Sequence, residues 1–262
     1  MTVDAPPAPP APPRIDVLGV PVARLTFEEL LAQLDDALRR AGGRPEYYTY
    51  VNAYGAILAA REAPYRAAVA GADVVYADGI GVVWATRLLG GPCPERINVG
   101  PVELGRIVDL CAERGASVFL LGGAPGIADE VARRLVAERP GLQIAGVHHG
   151  YFAPEEEAAV VQRINDSGAA LLILGLGPPK QEIWVNRHLA ALQVHAAWCM
   201  GGLLDQVAGA VAYPPEWVRR NHVQWLYRLM TEPRRLWRRY LLGIPEFIGR
   251  VALQRLGLER QA

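Results

Sequence analysis

The stretch Tyr76-Ala-Asp-Gly-Ile-Gly81 lies where one periodicity gives way to another. Before it, Ala72–Tyr76 carries the β-branched pair Val74-Val75, a strand signal; after it, Ile80, Val83, Trp84 and Leu88 recur at helical spacing. Asp78 therefore sits where a strand ends and a helix begins, and Gly79 and Gly81 let the backbone turn tightly there. In an open α/β sheet, the crevice at the carboxyl ends of the strands is where ligands bind. Two roles are open to Asp78 on this stretch alone: a general base within reach of a substrate hydroxyl, or a cap on the following helix.

The same switch repeats outward along the chain. Strands are expected at Tyr47–Val51, Val74–Tyr76, Val118–Leu121, Leu142–Ala145, Leu171–Leu174 and Ala196–Met200. Helical patterns fall between them, near Ala53–Glu62, Gly81–Leu89, Val102–Arg114, Ile127–Glu138, Pro154–Ser167 and Lys180–Leu192. Ahead of them, Thr26-Phe-Glu-Glu29 is a capping box opening a helix with one apolar face (Phe27, Leu30, Leu31, Leu34, Leu38), which Gly42-Gly43 closes. The alternation predicts an α/β fold, a mainly parallel sheet covered by helices on both faces.

Three segments are expected. Residues 1–13, with the run APPAPPAPP, form a polyproline arm without a core of its own, read as disordered. Residues 14–213 form the catalytic core. Residues 214–262 form a helical C-terminal appendage, in which Pro214-Pro215, Pro233 and Pro245 punctuate three short helices.

The chain has 262 residues, with 27 basic and 27 acidic side chains, so it is neutral overall and no nucleic-acid partner is expected. The average conceals an asymmetry. From Pro214 onward there are ten Arg, no Lys and four Glu, a net of +6 against −6 before it, which implies a local anionic partner. Cys93, Cys111 and Cys199 are widely spaced, with no C-x-x-C pair, which predicts neither a disulfide framework nor a metal site and suits a reducing cytoplasm. No charged-then-apolar leader opens the chain and no run of 18 apolar residues occurs. A protein that is soluble, or rests on a membrane without crossing it, is expected.

Three glycine-bearing turns follow expected strands: Gly122-Gly-Ala-Pro-Gly126, Gly175-Leu-Gly-Pro-Pro-Lys-Gln-Glu182 and Gly201-Gly-Leu-Leu-Asp205. Each brings free N–H groups and a helix start to one sheet edge, which suits a phosphate, although none matches G-x-G-x-x-G or the P-loop. With no D-x-D triplet in the chain, a bound diphosphate would be met by arginines and helix ends rather than by a carboxylate-held metal. Lys180, the only lysine, and Glu182 start a helix, and a solvated helix start is as open for them as a function. His148-His149 reads as loop structure before metal. In the tail, Arg228, Arg234, Arg235, Arg238 and Arg239 interleave with Trp225, Tyr227, Trp237 and Tyr240. They suit a phosphate fork, a helix lying on an anionic membrane, or a packed hairpin with solvated arginines. Arg228, Arg235 and Arg238 share one face if a single helix runs through Pro233.

The runs DGIGVVWATRLLGGPCPERI (78–97), FLLGG (119–123), HHGYF (148–152), LGLGPPKQEIW (174–184), MGGLLDQVAG (200–209) and QWLYRLMTEPRRLWRRYL (224–241) resemble the WecG/TagA/CpsF family of bacterial glycosyltransferases over about residues 47–245. The resemblance implies a Rossmann-like core. It also implies an inverting, metal-independent transfer of an N-acetylmannosamine-, glucuronic-acid- or glucose-type sugar from a UDP-sugar to a polyprenyl-diphosphate-linked sugar. The products would be cell-wall, capsule or exopolysaccharide precursors. The protein would be cytoplasmic and peripheral on the inner membrane face, bound to anionic lipid through the appendage, with no cofactor and with a homo-oligomer left open.

By the same resemblance, Asp78 matches the general base, and Asn52, Tyr50 and Arg96 match pocket positions. Tyr151 matches a position by the uracil, Gln181 one by the donor sugar and Asp205 one by the nucleoside. Gly122, Gly123, Gly175 and Gly177 fall in the turns that would receive the nucleotide, and Arg228, Arg235 and Arg238 match arginines closing over the diphosphate. Two departures stand out: Tyr50 replaces a usual Thr, and Arg96-Ile-Asn-Val-Gly-Pro-Val-Glu103 lacks the family's Asp. Both lie by the acceptor or sugar pocket, so sugar identity is the least transferable property. The rival functions are a nucleotide-dependent oxidoreductase on the same fold and a non-enzymatic membrane-binding scaffold.

Overall fold

The computed structural model describes residues 12–40, 42–91, 94–221 and 223–258. The proline-rich arm up to residue 11, Cys93 and the side chain of Arg235 lie outside what is described. The first element is a hairpin that the strand signals did not announce, β1 (Arg14–Val17) paired antiparallel with β2 (Val20–Ala23). Its two-residue turn puts both Leu18 (φ 55) and Gly19 (φ 84) at positive φ, the arrangement that matches strand twist. A leucine is an unusual residue there, which is why the turn carries no sequence signature.

The main sheet takes β3 (Glu46–Val51), β4 (Val74–Ala77), β5 (Val118–Gly122), β6 (Ile144–His148), β7 (Leu171–Gly175) and β8 (Ala196–Cys199) in the order β4-β3-β8-β7-β5-β6. All its pairs are parallel. Apolar runs such as Val118–Gly122 and Leu171–Gly175 are buried along their whole length because helices cover both faces. On one face Tyr47, Val75, Phe119, Leu172 and Ala197 pack under α2 (Ala53–Arg61), α3 (Ala63–Ala70), α4 (Ile80–Leu88), α7 (Glu157–Asp166) and α8 (Lys180–His188). On the other, Tyr48, Val74, Leu120, Ile173 and Trp198 pack under α1 (Phe27–Arg39), α5 (Pro101–Glu113), α6 (Ile127–Glu138) and α9 (Leu203–Val207). This is the α/β architecture expected from the alternation, and the Rossmann-like core that the resemblance implies. The capping box of α1 is present in full.

One strand sits elsewhere than expected. β6 begins at Ile144 rather than Leu142, because the β5–β6 register shifts after Val118 and Gly146 comes to lie opposite Phe119. A Cβ on Gly146 would meet the Phe119 ring at 2.6 Å, so the pairing selects glycine there and breaks the apolar periodicity.

The tail departs from three helices punctuated by prolines. It runs α10 (Glu216–Arg220), α11 (Gln224–Thr231) and α12 (Pro233–Trp237), then through a π-helical turn (Arg238–Leu242) into α13 (Gly243–Arg255). Pro245 falls just after the π-helical turn, inside the continuous run from Arg238 to Arg255, so it ends no helix. Pro233 does separate α11 from α12, with Glu232 out of helical geometry (φ −133, ψ 55). The single face through Pro233 is therefore not formed. α13 buries Phe247 and Val251 in the cluster shared with α2 and α4.

Candidate active site

The parallel arrangement brings every strand's carboxyl end, and so every glycine turn, to one edge. Asp78 follows β4 and its backbone N–H donates to Val51 O at 2.8 Å, which holds the end of β4 beside Asn52. The cap of α4 is Gly79 (φ 96), and no side chain bonds to that helix start. The capping role for Asp78 is thereby excluded: its carboxylate faces Asn52 instead. Asn52 caps α2 by accepting from Gly55 N through Oδ1 (3.1 Å), which turns its Nδ2 to donate to Asp78 Oδ2 (3.4 Å).

Burial raises the Asp78 carboxyl above its ordinary value. The Asn52 hydrogen bond and the nearby charges of Arg239, Arg96 and Arg228 pull it back down. Arg96 is joined to the tail, its Nη1 donating to Gln224 Oε1 on α11 at 3.4 Å. Arg239 lies on the π-helical turn, with its guanidinium over the Tyr54 ring at 4.4 Å, and Tyr54 is two residues after Asn52. Arg238, the expected partner, is exposed and stacks on Trp237 (5.2 Å). Arg239 is the residue that sequence reasoning did not select. Arg238 and Arg239 look alike in the sequence until packing fixes which of them turns inward.

Tyr50 joins this group, with its ring 6.1 Å from that of Tyr76. A Cβ on Gly201 (φ 60) would sit 2.4 Å from the Tyr50 hydroxyl, so β3 and the β8–α9 turn are in close contact. Gly122 passes so near Gly175 that a Cβ would meet its backbone at 2.6 Å, whereas Gly177 (φ 73) faces open space. Gly123 N donates to Gly175 O at 3.4 Å, closing the turns after β5 and β7 on each other. Asp205 lies in the first turn of α9, and its carbonyl accepts from Ala210 N and Val211 N.

The positions matched to the uracil and the donor sugar, Tyr151 and Gln181, stand differently. Tyr151 follows β6 and is 73% exposed. β4 and β6 are opposite sheet edges, five strand spacings of about 4.8 Å apart, so Tyr151 lies about 24 Å along the crevice from Asp78. Gln181 is fully buried with both ends of its amide engaged, to Gly201 N (3.0 Å) and Glu182 Oε1 (2.7 Å). Of the two readings left open for Glu182, the solvated helix start is not found. Its side chain is completely buried, and burial pushes its carboxyl up to about 7. Lys180 stays exposed at the same helix start, its Nζ donating to Gly150 O (2.8 Å) and lying over the Phe152 ring. Among the described residues, no three His, Cys, Asp or Glu side chains gather as a metal site.

A parallel sheet whose strand ends present a carboxylate oriented by an amide, under three arginines, is the layout of an α/β enzyme acting on an anionic substrate. The chain belongs to the Glycosyl transferase WecG/TagA/CpsF family, whose profile matches residues 15–261. It is similar to the N-acetylglucosaminyldiphosphoundecaprenol N-acetyl-beta-D-mannosaminyltransferase of Bacillus spizizenii (strain ATCC 23059 / NRRL B-14472 / W23). The two are 33% identical over 187 residues, 71% of each chain. The protein is thus a glycosyltransferase of the hexosyltransferase kind, which removes the oxidoreductase and scaffold alternatives.

Proposed function

We propose that the protein transfers an N-acetylmannosamine-type sugar, with inversion and without a metal, from a UDP-sugar to an N-acetylglucosamine carried on a polyprenyl diphosphate. Asp78 is the general base: it takes the proton of the acceptor hydroxyl as that oxygen attacks the anomeric carbon, and UDP departs from the opposite face. Asn52 orients the carboxylate. Arg228, Arg235 and Arg239 meet the charge that develops on the leaving diphosphate, and Arg96 serves the sugar or the acceptor phosphate. Charge placed in advance at a leaving group is commonly the largest catalytic contribution. The observation that carries this reading is the Asp78–Asn52 pair at the strand ends, in the field of arginines that the tail delivers. The activity of the Bacillus spizizenii relative supports the sugar and acceptor.

The appendage holds the enzyme to its lipid-borne acceptor. Trp217 (64%), Met230 (75%), Leu241 (56%) and Leu242 (58%) are exposed among its arginines, a composition suited to the interface of an anionic membrane. None of the described helices is long and apolar enough to cross one.

Asp78→Asn tests the mechanism. The amide keeps the shape but accepts no proton, so transfer should fall about 10²–10⁴-fold while UDP affinity by calorimetry holds. The same assay in EDTA should lose nothing. Normal turnover by the variant would remove Asp78 from the mechanism.

A further inference from the structure

Glu182 is the buried ionisable group that the mechanism above leaves unused. Its Oε1 accepts from Gln181 Nε2 (2.7 Å) and from Thr49 Oγ1 (3.2 Å), while Oε2 is buried without a partner. Tyr47 and Tyr50 of β3, Tyr65 of α3 and Cys199 of β8 all feel its charge. No cation is among the groups that set its titration. An unpaired carboxylate in such a place is costly, so its position calls for a reason.

The reason lies in the directionality of its hydrogen bonds. An ionised carboxylate only accepts, whereas the Gln181 amide has one donating and one accepting end. Glu182 therefore takes the NH₂ end, which leaves the carbonyl Oε1 facing Gly201, where it accepts from the backbone N–H at 3.0 Å. A flipped amide would put NH₂ against N–H, a repulsive pair, and push the β8–α9 turn away from the Tyr50 hydroxyl on which Gly201 rests.

We propose that Glu182 is a positioning residue which, as the carboxylate, fixes the orientation of Gln181 and through it sets the Gly201–Gly202 turn of the cleft. Protonated, or replaced by Gln, position 182 can also donate to the Gln181 carbonyl, so it competes with the Gly201 N–H and only Gly201 still selects the observed orientation. Burial places the carboxyl at about 7, so both forms are populated near neutral pH. The consequence for ligand binding rests on the reading above, in which this turn receives the donor nucleotide.

The test uses the full-length protein with ¹⁵N-labelled glycine. The Gly201 amide resonance should move with a midpoint near pH 7 in the wild type and stay flat in Glu182→Gln. UDP should bind the variant about tenfold more weakly than the wild type at pH 8, the two converging by pH 6. The comparison with the variant cancels the titration of UDP itself. A Gly201 resonance that ignores pH in the wild type would overturn the inference, and needs no variant to fold. Equal UDP affinity of the two proteins at pH 8 would also overturn it. A titrating Gly201 in a wild type that binds no UDP would leave the positioning role intact and remove the donor-site reading instead.

Discussion

Asp78 is held between two opposing effects, burial that favours its neutral form and three arginines that favour the carboxylate. A general base must be ionised, so activity falls as pH drops through its pKa. Removing a favourable charge raises that pKa and moves the acid limb of the kcat/KM profile to higher pH. Arg239→Ala should show this shift, Arg239→Lys should largely restore it, and Arg238→Ala should leave the limb in place because Arg238 is turned to solvent. Glu182 yields a prediction on stability. With its folded carboxyl at about 7 against an ordinary 4.5, the native state holds a proton that the unfolded chain releases between those values. The stability it confers is present below about pH 4.5 and lost as pH rises through about 7. Denaturant melts of the wild type and Glu182→Gln should therefore diverge by about 3 kcal/mol between pH 4.5 and 8, in favour of the variant. Around Asp78 the resemblance named Asn52, Arg96 and Arg228 but not Arg239, whereas the environment of Glu182 was not legible in the sequence. An acid in the first turn of a helix is ordinarily solvated, and what buries Glu182 is a set of side chains on β3, α3 and β8, distant along the chain.

Among the elements, α13 carries an unexpected share of the packing. Phe247 is 4% exposed and Val251 2%, both within the cluster under α2 and α4. Gln254 accepts from Leu18 N (3.0 Å) and donates to Asp16 O and Oδ1 (3.0 and 2.9 Å), bridging the hairpin turn where Leu18 is held at positive φ. Phe247→Ala should cost about 3–5 kcal/mol in a denaturant melt, as a large core truncation does. Gln254→Ala should act locally: amide exchange in β1 and β2 should quicken while β3 and β8 keep their protection. The main strands were readable because their apolar runs are buried on both sides, which a periodicity argument captures. The hairpin was not, since Leu-Gly is a weak turn signal. The role of α13 was not readable either, because its apolar residues lie all round it: Gly243, Phe247 and Val251 are buried while Ile248 and Leu253 face outward.

At the scale of the whole molecule, six parallel strands send all their turns to one edge, and the tail crosses that edge to deliver Arg228 and Arg239. A tail that builds the site and, as proposed, also rests on lipid would have to divide its side chains between the two tasks. The division is visible in exposure: Leu236, Phe247 and Val251 are buried, whereas Trp217, Met230, Leu241 and Leu242 face outward. Cutting the chain after Tyr213 would confound the tasks, because it uncovers the apolar faces of α2 and α4 as well as removing the arginines. Replacing only the outward side chains separates them. A variant with Trp217, Met230, Leu241 and Leu242 changed to Ser should co-sediment with anionic vesicles at least tenfold less, since each buried apolar side chain contributes about 1.5–3 kcal/mol when fully withdrawn from water and less at an interface. It should keep its melting temperature and its transfer to a short-chain, water-soluble acceptor, because none of the four lies in the core or beside Asp78. Its transfer to the long-chain lipid acceptor in vesicles should fall in step with the lost binding. Equal loss on both acceptors would mean that these side chains shape the catalytic cleft and that the membrane is held by another surface.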